Sequence, residues 1–323
     1  MSSIILVNFG GPRSLEEIPS FLTALLTDTE VIRTSFPRFF EKWFFKKIAL
    51  QRAKKIAHDY TLIGGKSPIF EDTESIAQEI RSRLHLPVIT FHRYLTTTHA
   101  DFLSQIQNSS SEEFIVFPLF PQFSYATTGS IARFFSENLD EKSLSKMRWI
   151  RSYPINKNYI AAMQSVIADF LKKEQLAEKD VVLFFSAHGL PQEYVDEGDP
   201  YERECHQSFD AIRKGFPDAY SLLAFQSKFG PGEWLRPYTS ELCDTPQQWN
   251  HGKRNVVFVP LSFTSDHIET LFEIERLYLP AIRAQGLEAF RCPAMNLRQD
   301  WLEAITEILK ESQPVQNQQL VRS

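Results

Sequence analysis

The sequence predicts an α/β protein made of two units of similar build, each a four-stranded parallel sheet with helices on both faces. Three observations predict it. Eight short runs read as strands, most of them apolar on both faces, as buried parallel strands must be. Helix-length segments such as SIAQEIRSRL and TLFEIERLYLPAI separate them. The runs also fall into two sets of four with nearly repeated spacing. They start at 4, 88, 114 and 148 and again at 181, 221, 255 and 288, offsets of 177, 133, 141 and 140 residues.

The first unit, expected over 1–150, carries IILVNF (4–9), VITFHR (88–93), FIVFPL (114–119) and RWIRSY (148–153). The second, expected over 151–323, carries VVLFFS (181–186), SLLAFQ (221–226), NVVFVP (255–260) and EAFRCP (288–293), then a last helix expected to pack back on the first unit. The first two strands start 84 residues apart in the first unit and 40 apart in the second, so the first unit holds an insertion, at about 20–65. Within it, between Val31 and His58, Arg33, Arg38, Lys42, Lys46, Lys47, Arg52, Lys54 and Lys55 face a single acid, Glu41, with Phe36, Phe39, Phe40, Trp43, Phe44 and Phe45 interleaved. A structural amphipathic helix would turn the aromatics inward and solvate the lysines. A binding surface would offer both to an apolar, anionic partner, either a lipid headgroup layer or a flat carboxylate-bearing ligand. An insertion at the carboxyl side of a first strand overlies the ligand crevice of such a sheet, which favours binding.

Composition narrows the class. A net charge of −5 argues against general nucleic-acid binding. No apolar run is long enough to span a bilayer, and the opening MSSIILVNFGGP reads as a strand, lacking a basic n-region and a cleavage site. Cys205, Cys243 and Cys292 are far apart and form no C-x-x-C, as free thiols of a reducing cytosol would be. The expected location is therefore cytoplasmic, with residues 31–58 as a candidate peripheral membrane contact.

Polar motifs follow the strands at their carboxyl ends: NFGGP (8–12), HRYLTTT (92–98), PLFPQFSYATTG (118–129), SAHGLP (186–191), QSKFGPGEWL (226–235) and SFTSDHIETL (262–271). Open α/β sheets bind ligands at that edge. His188 follows a buried strand, and Asp266, His267, Glu269 and Glu273 crowd the start of one helix. Part of that crowding has a local explanation, because Asp266 with Glu269 fits a capping box. Glu269 and Glu273, however, are like charges at i,i+4, and a histidine is not needed for a cap. Imidazole facing carboxylates suits proton transfer near neutral pH or the holding of a divalent metal of borderline hardness. NFGGP is not G-x-G-x-x-G, LIGGKSP (62–68) lacks the P-loop spacing, and Ser186 does not lie in G-x-S-x-G.

LVNFGGP, IGGKSPI, PQFSYATTG, SAHGLP with GDPY, QSKFGPGEWL and FTSDHIETLFE together resemble, in order, the signatures of the ferrochelatases, enzymes that insert ferrous iron into a porphyrin. The resemblance runs from the first strand to about residue 275. It implies two Rossmann-like, chelatase-type units with a porphyrin cleft between them. It implies His188 and Glu269 as the metal pair, and Asp266, His267 and Glu273 as an acid–imidazole path behind it. Arg52, Tyr60 and Ser67 match positions around the porphyrin propionates, Arg93 and Tyr94 an R-Y pair lining the pocket, and Trp234 and Phe263 aromatics at the macrocycle. Phe9 stands where other members carry Met or Tyr facing the metal.

Two departures from the family follow. Tyr125 occupies the place of a cysteine that ligates an iron–sulfur cluster in some members, and the tail ESQPVQNQQLVRS has no cysteine, so no cluster is expected and Fe2+ enters as substrate only. Gln51 precedes Arg52 where some relatives have a second arginine. The expected reaction is formation of protohaem from protoporphyrin IX, the last step of haem biosynthesis. Insertion of iron into coproporphyrin III, or of another divalent metal into a related macrocycle, is the same-class alternative. A non-catalytic porphyrin or haem carrier is the alternative of another class.

Overall fold

All eight apolar runs form parallel strands. In the computed structural model, which describes residues 2–33, 38–230 and 232–322 (backbone alone for 38–42), these are β1 (Ser2–Asn8), β2 (Val88–His92), β3 (Glu113–Pro118), β4 (Met147–Trp149), β5 (Val181–His188), β6 (Tyr220–Gln226), β7 (Asn255–Pro260) and β8 (Glu288–Arg291). They build two sheets in the same order, β2-β1-β3-β4 and β6-β5-β7-β8. The duplication seen in the spacing is thus a duplication of topology. In each sheet the strand order reverses between the first and third strands, which puts the switch point at the carboxyl ends of β1 and β3, and of β5 and β7.

Two strands differ from their runs in a way that matters. β5 continues two residues beyond VVLFFS, because Ala187 and His188 still pair with Phe225 and Gln226. β4 stops at Trp149, short of the expected 148–153. Its edge is taken by the returning C-terminal segment: Trp149 and Val315 exchange both backbone N–H···O bonds at 2.8 Å. An open sheet edge is covered in this way.

The chain divides into Met1–Ser152 with Ile305–Ser323, and Tyr153–Ala304. In the first of these units Ile5, Val7, Phe91 and Val116 present one sheet face to Phe102, Phe135 and Leu320. Asn317 anchors the tail there by donating to the Ala132 carbonyl at 3.0 Å and to Ser136 Oγ at 2.8 Å. The insertion forms the helices Ile18–Leu26 and Arg38–Thr61 ahead of Ile69–Leu84. The long helix buries Ala49, Ala53 and Tyr60, whose spacing keeps them on one face. Trp43 and Phe44 are 58 % and 50 % exposed, so these two aromatics do not turn inward. Phe36 and the side chains of Arg38, Phe39, Phe40, Glu41 and Lys42 lie outside the described residues. Among the described residues no helix is long and apolar enough to cross a membrane.

In the second unit Val182, Phe184, Ala224, Val256 and Phe258 form the sheet face that receives Ile274, Tyr278, Leu279 and Ile282. Phe184 and Phe258 stack with centroids 4.4 Å apart. Each is fully buried, and truncating either to alanine would cost about 3–5 kcal/mol. The helix over this face is π-wound from Glu269 to Tyr278, where Leu279 N–H reaches back to the Ile274 carbonyl, and then α-helical over Leu279–Ala284. π-winding is rare and is found mostly at functional sites.

Candidate active site

The site grows out of strand parity. Alternate residues of a strand share a face, so Val182 and Phe184 are followed on the helix-covered side of β5 by Ser186 and His188. On β6, Ala224 is followed by Gln226 in the same way. The apolar row beneath Ile274 and Tyr278 therefore turns polar at the carboxyl end of the sheet. There the first turn of the π-helix brings Glu269 and Glu273 over it.

His188 spends one ring nitrogen on the backbone. Its Nδ1–H donates to the Gly189 carbonyl at 2.5 Å, which leaves Nε2 with a free lone pair, 3.6 Å from Glu269 Oε1. The second oxygen of Glu269, Oε2, is buried without a hydrogen bond and lies 3.9 Å from Nε2 of His267. One carboxyl thus faces two imidazoles. Burial lowers the pKa of His188 and takes that of His267 down to about 4. Burial also pushes Glu269 up to about 8, and burial with the Glu269 charge pushes Glu273 up to about 7. Near neutral pH the two histidines and Glu269 are therefore held in their neutral forms, while Glu273 stands about half ionised. The His188 side chain is nevertheless 40 % exposed, so the group is open to an incoming ligand.

Glu273 is turned inward. Its Oε2 accepts from Ser227 Oγ at 2.6 Å, Gln226 Nε2 at 3.2 Å and Tyr278 OH at 3.4 Å. Gln226 also donates to the Glu269 carbonyl at 3.0 Å and accepts from Ser186 Oγ at 2.7 Å. Tyr201, from the GDPY motif, donates toward the His188 carbonyl at 3.0 Å and Ser262 Oγ at 2.9 Å. Gly189 is required by close approach: a Cβ there would lie 2.8 Å from the Gln226 carbonyl and 3.2 Å from the Trp234 ring. That contact seats Trp234 against SAHGLP. Phe263 packs on His267 with ring centroids 4.6 Å apart.

The capping box between Asp266 and Glu269 does not form. No side chain caps the π-helix at Ile268, and Asp266 is committed elsewhere. Its carboxylate accepts from Arg291 Nη1 at 2.7 Å, Thr270 Oγ1 at 2.8 Å and Asn296 Nδ2 at 2.9 Å. Glu269, freed of a cap role, turns to the histidines instead. The structure thus brings together His188, His267, Glu269 and, through Gln226 and Ser227, Glu273. It holds Asp266 in an ion pair with Arg291.

Of the expected residues of the first unit, Phe9, Arg93 and Tyr94 cluster together. Phe9 packs edge-on to Tyr94 at 4.5 Å, with Phe21 completing the cluster. Tyr94 is buried behind Phe9 and donates to Asp28 Oδ2 at 2.9 Å, which Arg93 also reaches at 2.7 Å and Ser130 at 2.5 Å. Ser67 is buried against NFGGP: a Cβ on Gly11 would lie 2.6 Å from it, and its N–H donates to the Pro12 carbonyl at 2.8 Å. Tyr60 is buried, and Arg52 is half-buried, its pKa lowered by that burial. Sequence reading missed Gln226, Ser227, Tyr201 and Asp28. The first three lie in motifs already singled out, and their position in those motifs was the available signal. Asp28 carried none.

Among the described residues no three or more His, Cys, Asp or Glu side chains converge as a metal-holding group. His188 and Glu269 offer two donors of borderline and hard character, suited to passing a divalent ion on rather than storing it. Cys205, Cys243 and Cys292 are buried, and burial pushes the first two thiols up to about 12.

A family model described as ferrochelatase matches residues 1–313. A ferrochelatase of Chlamydia muridarum is 44 % identical over 312 residues, 97 % of this chain and 95 % of its own. One of Chlamydia caviae is 42 % identical over 323 residues, 100 % of each chain. Among solved structures, SirB from Bacillus subtilis with Fe3+ superposes with a TM-score of 0.54 at 11 % identity, covering 97 % of this chain and 95 % of that one. CbiX, described as the terminal enzyme of sirohaem biosynthesis in denitrifying bacteria, superposes with a TM-score of 0.53 at 12 % identity, covering 96 % and 99 %. These two likenesses concern the fold.

Proposed function

The chain belongs to the ferrochelatase family, and from that premise we infer that it is a metal chelatase, a lyase that inserts Fe2+ into protoporphyrin IX to give protohaem in the final step of haem biosynthesis. The observation that carries the reading at the level of chemistry is the His188–Glu269 pair. A neutral imidazole, its Nε2 lone pair unspent, faces a carboxyl at 3.6 Å in an open position at the sheet's switch point.

Metallation of a porphyrin replaces two pyrrole N–H protons by one dication, so two protons must leave. In this reading His188 Nε2 accepts a pyrrole proton, and His267 and Glu273 pass protons on. Glu269 with His188 meets the metal. A dication arriving beside Glu269 offsets the burial that holds it protonated and draws it to the carboxylate. The weak two-donor site then surrenders the ion to the macrocycle nitrogens. Trp234 and Phe263 supply apolar surface next to Gly189 and His267 for the ring, whose bending exposes its nitrogens.

The protein works without an iron–sulfur cluster. Tyr125 and a cysteine-free tail support this, as do three buried thiols held in the protonated form. It is cytoplasmic, and residues 31–58 touch the membrane surface, a reading supported by exposed Trp43 and Phe44 beside Lys46 and Lys47. The deciding experiment mixes purified protein anaerobically with Fe2+ and free-base protoporphyrin IX, with coproporphyrin III in parallel. Absorbance should report enzyme-dependent haem formation. Porphyrin binding without metallation would leave a carrier, and metallation of coproporphyrin alone would move the substrate.

A further inference from the structure

β6 ends in a strained turn whose strain has a use. Ser227 follows Gln226 with φ +62°, a left-handed conformation that non-glycine residues seldom adopt and that clusters at functional sites. Glycine would adopt it at no steric cost, yet a serine is there. Its hydroxyl makes the shortest of the contacts to Glu273, 2.6 Å to Oε2. Gln226 and Tyr278 donate to the same oxygen, at 3.2 and 3.4 Å. The hydrogen bonds of the described residues to this carboxyl all fall on Oε2. Gln226 is itself fixed, with its amide oxygen on Ser186 and its amide nitrogen shared between Glu273 and the Glu269 carbonyl. The Gln226–Ser227 pair therefore ties two strands of the sheet to the start of the π-helix, at the Glu269 carbonyl and the Glu273 carboxyl.

We propose that Ser227, backed by Gln226, is a positioning residue for proton removal. It locks Glu273 by Oε2 so that Oε1 stays directed as the proton-accepting atom, and acts on the reaction only through Glu273. This rests on the reading above, in which Glu273 passes protons on. The left-handed turn is what aims the hydroxyl: with an ordinary φ the strand would carry the side chain of residue 227 to the opposite sheet face from Gln226.

The test uses Ser227→Gly, Ser227→Ala, Glu273→Gln and the double variant Ser227→Gly/Glu273→Gln, in the full-length protein, with single-turnover insertion of Fe2+ into protoporphyrin IX. Ser227→Gly suits the left-handed turn and removes the whole hydroxymethyl group, whereas Ser227→Ala removes the hydroxyl alone and keeps the strain of a Cβ at that φ. Ser227→Gly should melt no lower than Ser227→Ala, yet insert metal about ten- to a hundredfold more slowly, the loss expected for one hydrogen bond to a charged group. Porphyrin affinity should stay within about twofold, as for a residue acting on chemistry rather than on uniform binding. In the double variant the Ser227 effect should vanish into that of Glu273→Gln, because residues acting through one another are non-additive. A Ser227→Gly enzyme with the wild-type rate overturns the proposal, as does a double variant that loses the product of both single effects. A wild-type protein that inserts no metal overturns instead the function on which the proposal rests.

Discussion

His188 Nε2 and Glu269 Oε1 stand 3.6 Å apart, with the other ring nitrogen of His188 bound to the Gly189 carbonyl and the other oxygen of Glu269 turned toward His267. The pair is a base and a carboxyl held in their neutral forms, neither bound tightly to the other. That is the state in which both can still respond to a metal ion or a proton.

His188→Ala should lower single-turnover metal insertion by roughly 10²–10⁴-fold, the usual worth of a general base. Porphyrin binding, followed by fluorescence, should persist, since the ring is partly exposed and its removal opens no sealed core. Near-normal turnover would take His188 out of the chemistry.

Glu269→Gln and Glu273→Gln should both fold, and both should slow insertion by about a hundredfold or more, with the larger loss at Glu269. Glutamine keeps the size and hydrogen-bonding capacity but neither accepts a proton at neutral pH nor supplies charge to a dication. Rates equal to wild type alongside an altered melting temperature would reduce both residues to structural ones.

Stability should fall as pH rises from about 6.5 to 8. Glu269 and Glu273, raised to about 8 and 7, bind protons in the folded state that the unfolded chain has released, so their contribution is full below the unfolded carboxyl pKa and is lost as pH passes the raised values. His267, lowered to about 4, acts in the opposite sense between that value and the unfolded histidine pKa, and offsets them in the more acidic range. Melting curves at pH 6.5 and 8.5 should therefore separate for wild type, and separate less for Glu269→Gln. Identical separations in the two proteins would contradict the raised carboxyl.

Trp43→Ser with Phe44→Ser should weaken flotation with vesicles containing acidic lipid while leaving the melting temperature within about two degrees, because both rings are exposed. Added salt should weaken binding of the wild type through Lys46 and Lys47. Flotation unaffected by the double substitution would remove this face as a membrane contact.

Anaerobically purified, porphyrin-free protein should show no visible chromophore and no acid-labile sulfide. A sulfide-containing chromophore would mean that cysteines pinned as buried thiols had become ligands, against the energetic cost of ionising them there.

Much of this was legible in the residues themselves. Apolar runs such as VVLFFS and NVVFVP are local patterns, and two-sided burial follows from them directly, as does the repeat of four strands. The place of His188 at a strand's carboxyl end, and the crowding of Glu269 and Glu273 at a helix start, were equally local. Tertiary structure alone decided what those groups face. Ser227 meets Glu273 across 46 positions, Gln226 meets Ser186 across 40, and Tyr94 and Arg93 meet Asp28 across 66 and 65. The capping box of Asp266 and Glu269 was locally reasonable and gave way to Arg291, 25 positions on. The physical reason is the same in each case. Hydrophobic periodicity is set by neighbours along the chain, whereas the partner of a buried polar group is set by which strands and turns the fold makes adjacent, and a buried charge takes the best-compensating partner the fold provides.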